Sequence, residues 1–205
     1  MKIAVIGSGI SGLSAAYYLS KKFKVDLFEQ EDYFGGHSYT YDIKNQKKTI
    51  PVDLGFIVFN ELTYPNLLNF FKELKVPFEK SDMSFAVSIQ GSNIEYGGRG
   101  LKAIFANKSN IFNLNFVKMI IEIISFYKNA PLLINNNLDG ETLGSYLDKS
   151  NFSKYLVEYH IIPMVAAIWS MPFSKARDIP LKLFLNFFIN HGLFKLRNRP
   201  QWYTV

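Results

Sequence analysis

The sequence predicts an α/β protein: a parallel-sheet front and a strand-plus-helix region behind it. Three observations predict this. A nearly continuous apolar run, Lys2-Ile-Ala-Val-Ile6, leads into a glycine-spaced bend, a helix-period segment and a second short apolar run. Such runs suit parallel strands buried on both faces. That second run, Lys24-Val-Asp-Leu-Phe28, stops on an acid, Glu29. Beyond about residue 80 the pattern turns mostly helical, which places a boundary there, with 1–80 as the front and 81–205 as the strand-plus-helix region behind it.

In chain order, Ile10 to Lys22 reads as a helix with Leu13, Ala16, Tyr17 and Leu19 toward the sheet. A polar loop with Gly35-Gly36 follows the second strand. Thr49 to Asn60 holds an extended segment, and Pro65 to Leu74 is a helix. Ser84–Ile89 alternates and turns through Gly91-Ser92-Asn93 into Ile94–Tyr96, a hairpin pattern. Helices are expected over Leu101–Ala106, Leu114–Asn129, Thr142–Lys149, Ser153–Trp169 and Pro180–Asn190.

Composition excludes several classes. Hydrophobic residues are 48% and charged residues 20% of 205, a globular balance. Cysteine is absent, so no disulfide, thiolate metal site or cysteine nucleophile is available. Three dispersed histidines make no metal constellation. The net charge is +6, but arginine is confined to Arg99, Arg177, Arg197 and Arg199, and the lysines are scattered. Nucleic-acid binders concentrate basic residues and favour arginine forks, so no nucleic-acid partner is expected. No stretch of 18 residues is both apolar and uncharged, so no transmembrane helix is expected. The expected compartment is the cytoplasm, with a mildly basic surface that suits peripheral contact with the inner face of an anionic membrane.

The chemistry lies in the bend. Gly7-Ser8-Gly9-Ile10-Ser11-Gly12 is a G-x-G-x-x-G motif in its required context, after a strand, opening a helix, with an acid at the end of the next strand. Gly7 permits the tight turn. Gly9 admits a pyrophosphate to the backbone, and Gly12 lets helix and strand pack closely. The helix N-terminus offers unpaired N–H groups to phosphate. Glu29 accepts from a ribose diol, and its charge argues against a 2′-phosphate. This is a Rossmann-type arrangement, and Gly35-Gly36 adds a second close approach beside the first loop.

The run Gly7-x-Gly9-x-x-Gly12, Glu29, Gly35-Gly36 resembles the signature of glutathione-reductase-like flavoproteins, particularly the flavin amine oxidase and phytoene desaturase branch. Phe34-Gly-Gly-His-Ser-Tyr-Thr40, Val52-Asp-Leu-Gly-Phe-Ile-Val-Phe-Asn60, Thr63-Tyr-Pro-Asn66, Ser81-Asp-Met-Ser-Phe85, Ala167-Ile-Trp-Ser170 and Asn198-Arg-Pro-Gln-Trp202 are similar to a bacterial family of FAD/NAD-binding, amine-oxidase-domain proteins. The resemblance implies FAD as cofactor. It implies that Ser11, Gly12, Glu29, Gly35 and Gly36 hold the ADP half, and that Gly55, Phe56 and Ile57 run beside the flavin ring. His37 stands where typical amine oxidases have an arginine, and is either a phosphate donor or a plain loop histidine. Members generally exceed twice this length. The expectation is an N-terminal portion of a larger flavoprotein, whose parallel sheet is incomplete in this chain and whose own C-terminal half is its partner.

The remaining candidates have bland alternatives. His160 in an apolar setting reads as a satisfied core or helix-end histidine rather than a base. His191 before Gly192 reads as a helix C-cap. Trp169, Phe173, Phe184, Phe187 and Phe188 line a greasy tunnel or are core. Asp53 orients a loop or caps a turn, and Asn60 and Tyr64 face substrate. No catalytic residue is legible. The expected function is an FAD-dependent oxidoreductase passing a hydride to flavin from a small hydrophobic substrate, an amine or a C–C bond of a lipid-like molecule. An NAD-dependent dehydrogenase and a noncatalytic, membrane-peripheral dinucleotide-binding module are the alternatives.

Overall fold

The computed structural model describes residues 1–45 and 48–205. Contacts divide it into two compact units, Met1–Ser81 with Gln201–Val205, and Asp82–Pro200.

In the front unit β1 (Lys2–Ile6) leads through the glycine bend into α1 (Ile10–Ser20), which returns the chain to β2 (Lys24–Phe28). The strands pair in parallel, Lys2 opposite Lys24 and Ile6 opposite Phe28. Leu13, Ala16, Tyr17 and Leu19 lie on the half-buried side of α1, as its period requires, but no residue of α1 is fully buried. Burial of β1 on both faces is not observed. Its residues alternate between exposed and half-buried, because β2 is its one hydrogen-bonded neighbour among the described residues.

The stretch after the glycine pair, expected as a polar loop, contains a strand. β3 (Ser38–Asn45) pairs antiparallel with β4 (Lys48–Gly55), Ser38 opposite Gly55 and Asn45 opposite Lys48. Every residue of β3 is exposed, so the ladder forms without the burial on which a period-two reading depends. β5 (Phe59–Asn60), α2 (Pro65–Leu74) and β6 (Glu79–Ser81) follow. The terminal strand Trp202–Thr204 lies between β5 and β6, antiparallel to both, with Trp202 opposite Asn60 and Ser81. It therefore belongs with the front unit, although the boundary read from the sequence groups it with the helices. Phe59, Leu68, Phe70 and Trp202 are the buried hydrophobics here, Phe59 among the rings of Phe71, Phe78 and Tyr203.

The second unit starts with the expected hairpin, β7 (Ala86–Ser88) and β8 (Glu95–Gly97), with Val87 opposite Tyr96. α3 (Leu101–Ile104) and a 3₁₀ turn lead to α4 (Leu114–Asn129), whose N-cap Asn113 accepts from the Phe116 amide. α5 (Leu143–Lys149) opens with a capping box between Thr142 and Ser145. The expected helix Ser153–Trp169 is broken into α6 (Lys154–Leu156), a π turn over Val157–Ile161, and α7 (Ile162–Trp169). Pro163 is the cause. It has no N–H for the carbonyl four residues back, that of Tyr159. The Tyr96 hydroxyl takes that carbonyl instead, at 2.7 Å. α8 (Phe173–Ala176) and α9 (Leu181–Asn190) complete the helices. Phe116, Met119, Phe126, Val165, Phe184 and Phe188 form the centre of a continuous core. Phe184 and Phe188 are thus core residues, while Phe173 is 59% exposed.

Candidate functional site

The glycine bend, the end of β2 and the second glycine pair come together. The Gly7 amide donates to the Phe28 carbonyl at 2.7 Å, which ties the bend to the last residue of β2. Gly7 has φ +88°, a region open to glycine. A Cβ at Gly12 would lie 1.8 Å from the Gly7 carbonyl oxygen, so helix and bend meet with no room for a side chain. Gly9 is different: a Cβ there would meet nothing within 4 Å. The approach to the Gly9 backbone is therefore open, and α1 has first-turn amides with no acceptor in the helix.

The second glycine pair packs on the first. The Gly35 amide donates to the Ser8 carbonyl at 3.0 Å, and Gly9 and Gly35 form a parallel bridge. A Cβ at Gly36 would stand 3.0 Å from the Gly9 Cα.

Glu29 is drawn into the bend. Its Oε2 accepts from the Ser8 amide at 2.7 Å and the Ser8 hydroxyl at 2.5 Å. Its Oε1 accepts from the amides of Gln30 and Glu31 at 2.7 and 3.1 Å. The Ser8 hydroxyl foremost, then these amides, hold the carboxyl at about 2, so Glu29 is a carboxylate at any physiological pH. The structure brings Gly7, Ser8, Gly9, Gly12, Glu29, Gly35 and Gly36 together, with Ser11 in the first turn of α1. Ser8 is among the residues expected to bind the cofactor, but its hydroxyl bond to Glu29 has no signal in the sequence, because a serine between two glycines looks like any small residue.

His37, Gly55, Phe56 and Ile57 form a second group at the open end of the β3–β4 hairpin. The Phe56 amide donates to the His37 carbonyl at 3.3 Å, and a Cβ at Gly55 would stand 2.0 Å from that oxygen. Phe56 packs on Tyr64, ring centroids 5.8 Å apart, and the Ile57 carbonyl accepts from Thr204 Oγ1 at 2.8 Å. Phe56 and Ile57 are both exposed. Asp53 neither caps a turn nor reaches a loop. It accepts from Thr40 Oγ1 across the hairpin at 2.7 Å. Asn60 is fully buried, and its Oδ1 gathers the Leu62 and Thr63 amides and the Thr63 hydroxyl into a turn ahead of α2. Beside α1 and α2 lies an apolar cleft of about 510 Å³, lined by Ile10, Tyr18, Leu67 and Phe70 among others.

In the helical unit His160 is buried between two tyrosines. Nδ1 stands 2.9 Å from the Tyr96 hydroxyl, Nε2 2.9 Å from that of Tyr127. Because the Tyr96 proton goes to the Tyr159 carbonyl, Nδ1 must donate to Tyr96, and Nε2 accepts from Tyr127. Burial pushes His160 down to about 3, so the ring is neutral. This is the satisfied core histidine of the bland reading; its partners are too distant in sequence to be found by pattern. His191 caps α9, with Gly192 left-handed behind it. Among the described residues no cluster of metal ligands occurs, and no helix is long and apolar enough to cross a membrane.

Comparison with known proteins agrees with this geometry. Residues 5–74 match the model of the NAD(P)-binding Rossmann-like domain family. Over 123 residues the chain is 32% identical to prenylcysteine oxidase 1 of Homo sapiens, covering 58% of this chain and 21% of that one. It is 29% identical over 175 residues to 1-hydroxycarotenoid 3,4-desaturase of Flavobacterium sp. (strain P99-3), covering 68% of this chain and 35% of the other. Cyclohexylamine oxidase from Brevibacterium oxydans IH-35A superposes with a TM-score of 0.61 at 17% identity, covering 99% of this chain and 45% of that one. The chain thus spans well under two thirds of the curated relatives it matches. The front has a Rossmann-like fold, and the likenesses are in keeping with the superfamily that its motifs resemble.

Proposed function

We propose that the front unit binds FAD by its ADP half and serves an oxidoreductase acting on a hydrophobic substrate, an amine or a C–C bond of a lipid-like molecule. One observation carries this: an ionised Glu29 sits against Ser8 in a bend that is open above Gly9. The cradle fits the group. The first-turn amides of α1 face phosphate oxygens, with Ser11 beside them. Glu29 accepts from the ribose, and its charge repels a 2′-phosphate, which disfavours NADP. The Gly35-Gly36 pair, packed on Gly9, belongs to the motif whose resemblance to the flavoprotein signature implies FAD. His37, bonded through its carbonyl to the Phe56 amide, and the exposed Phe56 and Ile57 are the residues that would lie along the rest of the group. FAD, when bound, supplies the two-electron acceptor for a hydride leaving the substrate. The residues of this chain bind and orient it. The names of the relatives, a prenylcysteine oxidase, a carotenoid desaturase and a cyclohexylamine oxidase, support an apolar substrate and both chemistries.

Titration of the chain with FAD, ADP, NADH and NADPH tests the reading. FAD and ADP should bind and NADPH should not. Glu29→Ala should weaken FAD and ADP about tenfold to a hundredfold, the loss of a charge-assisted hydrogen bond. Binding of NADH without FAD would instead make this a nicotinamide enzyme. Co-sedimentation with anionic vesicles and no dinucleotide binding would make it a membrane-peripheral module.

A further inference from the structure

We propose that the Ser8 hydroxyl is a built-in stand-in for a sugar hydroxyl: it occupies the place on Glu29 that the ribose takes, and turns away when the dinucleotide binds. This rests on the reading of the glycine bend as a dinucleotide site, and adds to it a residue that sets how tightly the sugar is held.

The inference comes from counting. A carboxylate has about four acceptor positions, two on each oxygen. Glu29 has four donors already: the Ser8 amide and hydroxyl on Oε2, and the Gln30 and Glu31 amides on Oε1. A ribose diol brings donors that find no lone pair free. One resident must leave. The three amides belong to the backbone, that of Ser8 tied by the Gly35 amide on its carbonyl. The Ser8 hydroxyl alone turns about single bonds. Ser8 is fully buried, so the residue stays while its hydroxyl rotates. No covalent bond changes.

Two consequences follow for binding. Before the ligand arrives, the hydroxyl helps keep Glu29 ionised and aimed at the bend. When the ligand arrives, the exchange subtracts from the gain of the sugar contact. Removing the hydroxyl leaves three amides to aim Glu29 and frees one acceptor position.

Calorimetric titration with ADP and with 2′,3′-dideoxy-ADP, on the chain and on Ser8→Ala, separates the possibilities. Ser8→Ala should bind ADP about threefold to tenfold tighter, the span of one modest hydrogen bond exchanged. Its affinity for dideoxy-ADP should be unchanged, so the preference for the diol grows by the same factor. Ser8→Cys keeps the volume with a weaker donor, and should fall between the two. Equal shifts for both ligands would overturn the inference, since Ser8 would then act on the shape of the bend. A loss of ADP affinity alone would also overturn it, making the hydroxyl a sugar contact rather than a competitor. If the unmodified chain binds ADP without preferring the diol, the inference fails and the phosphate cradle stands. If it binds neither ADP nor FAD, the dinucleotide reading itself fails and takes the inference with it.

Discussion

Phe184 and Phe188 in the helical unit are fully buried, their ring centroids 4.2 Å apart, while Ile6 at the mouth of the glycine bend keeps 78% of its surface exposed. α9 buries Leu181, Phe184, Leu185 and Phe188; α1, of nearly the same length, buries no residue completely. The contrast shows two ways in which a residue is chosen. In the helical unit identity answers to volume, because close-packed interiors register each methylene. At the bend identity answers to clearance and hydrogen bonds: a Cβ is impossible at Gly12 and unopposed at Gly9, and Glu29 is filled with donors.

The strongest way to break this comparison is to cut the core. Phe184 packs against Phe126, Phe188 and Phe194. Phe184→Ala should cost about 3–5 kcal/mol in the helical unit. Ile6→Ala in the front unit should change stability by about 0.5 kcal/mol or less. Hydrogen exchange resolved along the chain would read each unit by itself. Comparable losses at the two positions would show that burial governs both units alike.

A smaller effect, falling in a different pH window for each unit, comes from acid. The folded value of His160 lies near 3, below the ordinary 6.5 of an exposed ring. Its contribution to stability is therefore complete above pH 6.5 and is lost as pH falls toward 3, with a slope of up to about 1.4 kcal/mol per pH unit. Glu29 acts in a lower window: its contribution is present above about 4.5 and is lost as pH falls through 2. On acidification from pH 7 the helical unit should loosen first. His160→Gln should flatten that slope while lowering stability at pH 7, because the Tyr96–His160–Tyr127 chain is cut. Unfolding measured from pH 7 to 4 checks both statements. A slope that survives in His160→Gln would assign the acid sensitivity elsewhere.

The same division decides what could be read from the sequence. α4 was legible to the residue, Leu114–Asn129, because its burial has a strong 3.6 period. The bend was legible because glycine spacing states a backbone requirement directly. β3 was not, since an exposed ladder leaves no burial pattern. The π turn was hidden because it needs both Pro163 and the hydroxyl of Tyr96, which arrives from a distant hairpin. The strand Trp202–Thr204 was hidden for a like reason: its partners β5 and β6 lie more than a hundred positions earlier. Around Glu29 the type of residue was readable, but the hydroxyl beside it was not, because a buried serine in a bend looks like any small residue.

The smallest expected effect sharpens the comparison furthest. Gly9 has φ −66° and ψ 176°, a conformation that any residue adopts, and a Cβ there meets no atom within 4 Å. Nothing in the fold of the front unit requires glycine at this position. Gly9→Ala should therefore leave stability unchanged or raise it by about 0.4–1 kcal/mol, through the restricted unfolded chain. The same methyl would stand where the diphosphate approaches the backbone, so FAD and ADP binding should fall at least tenfold. Thermal unfolding and ADP titration of the one variant read the two effects side by side. If Gly9→Ala binds ADP as the unmodified chain does, the open space above Gly9 is not the phosphate site. If it unfolds instead, the glycine serves the fold, and the bend joins the helical unit as a place where packing rules.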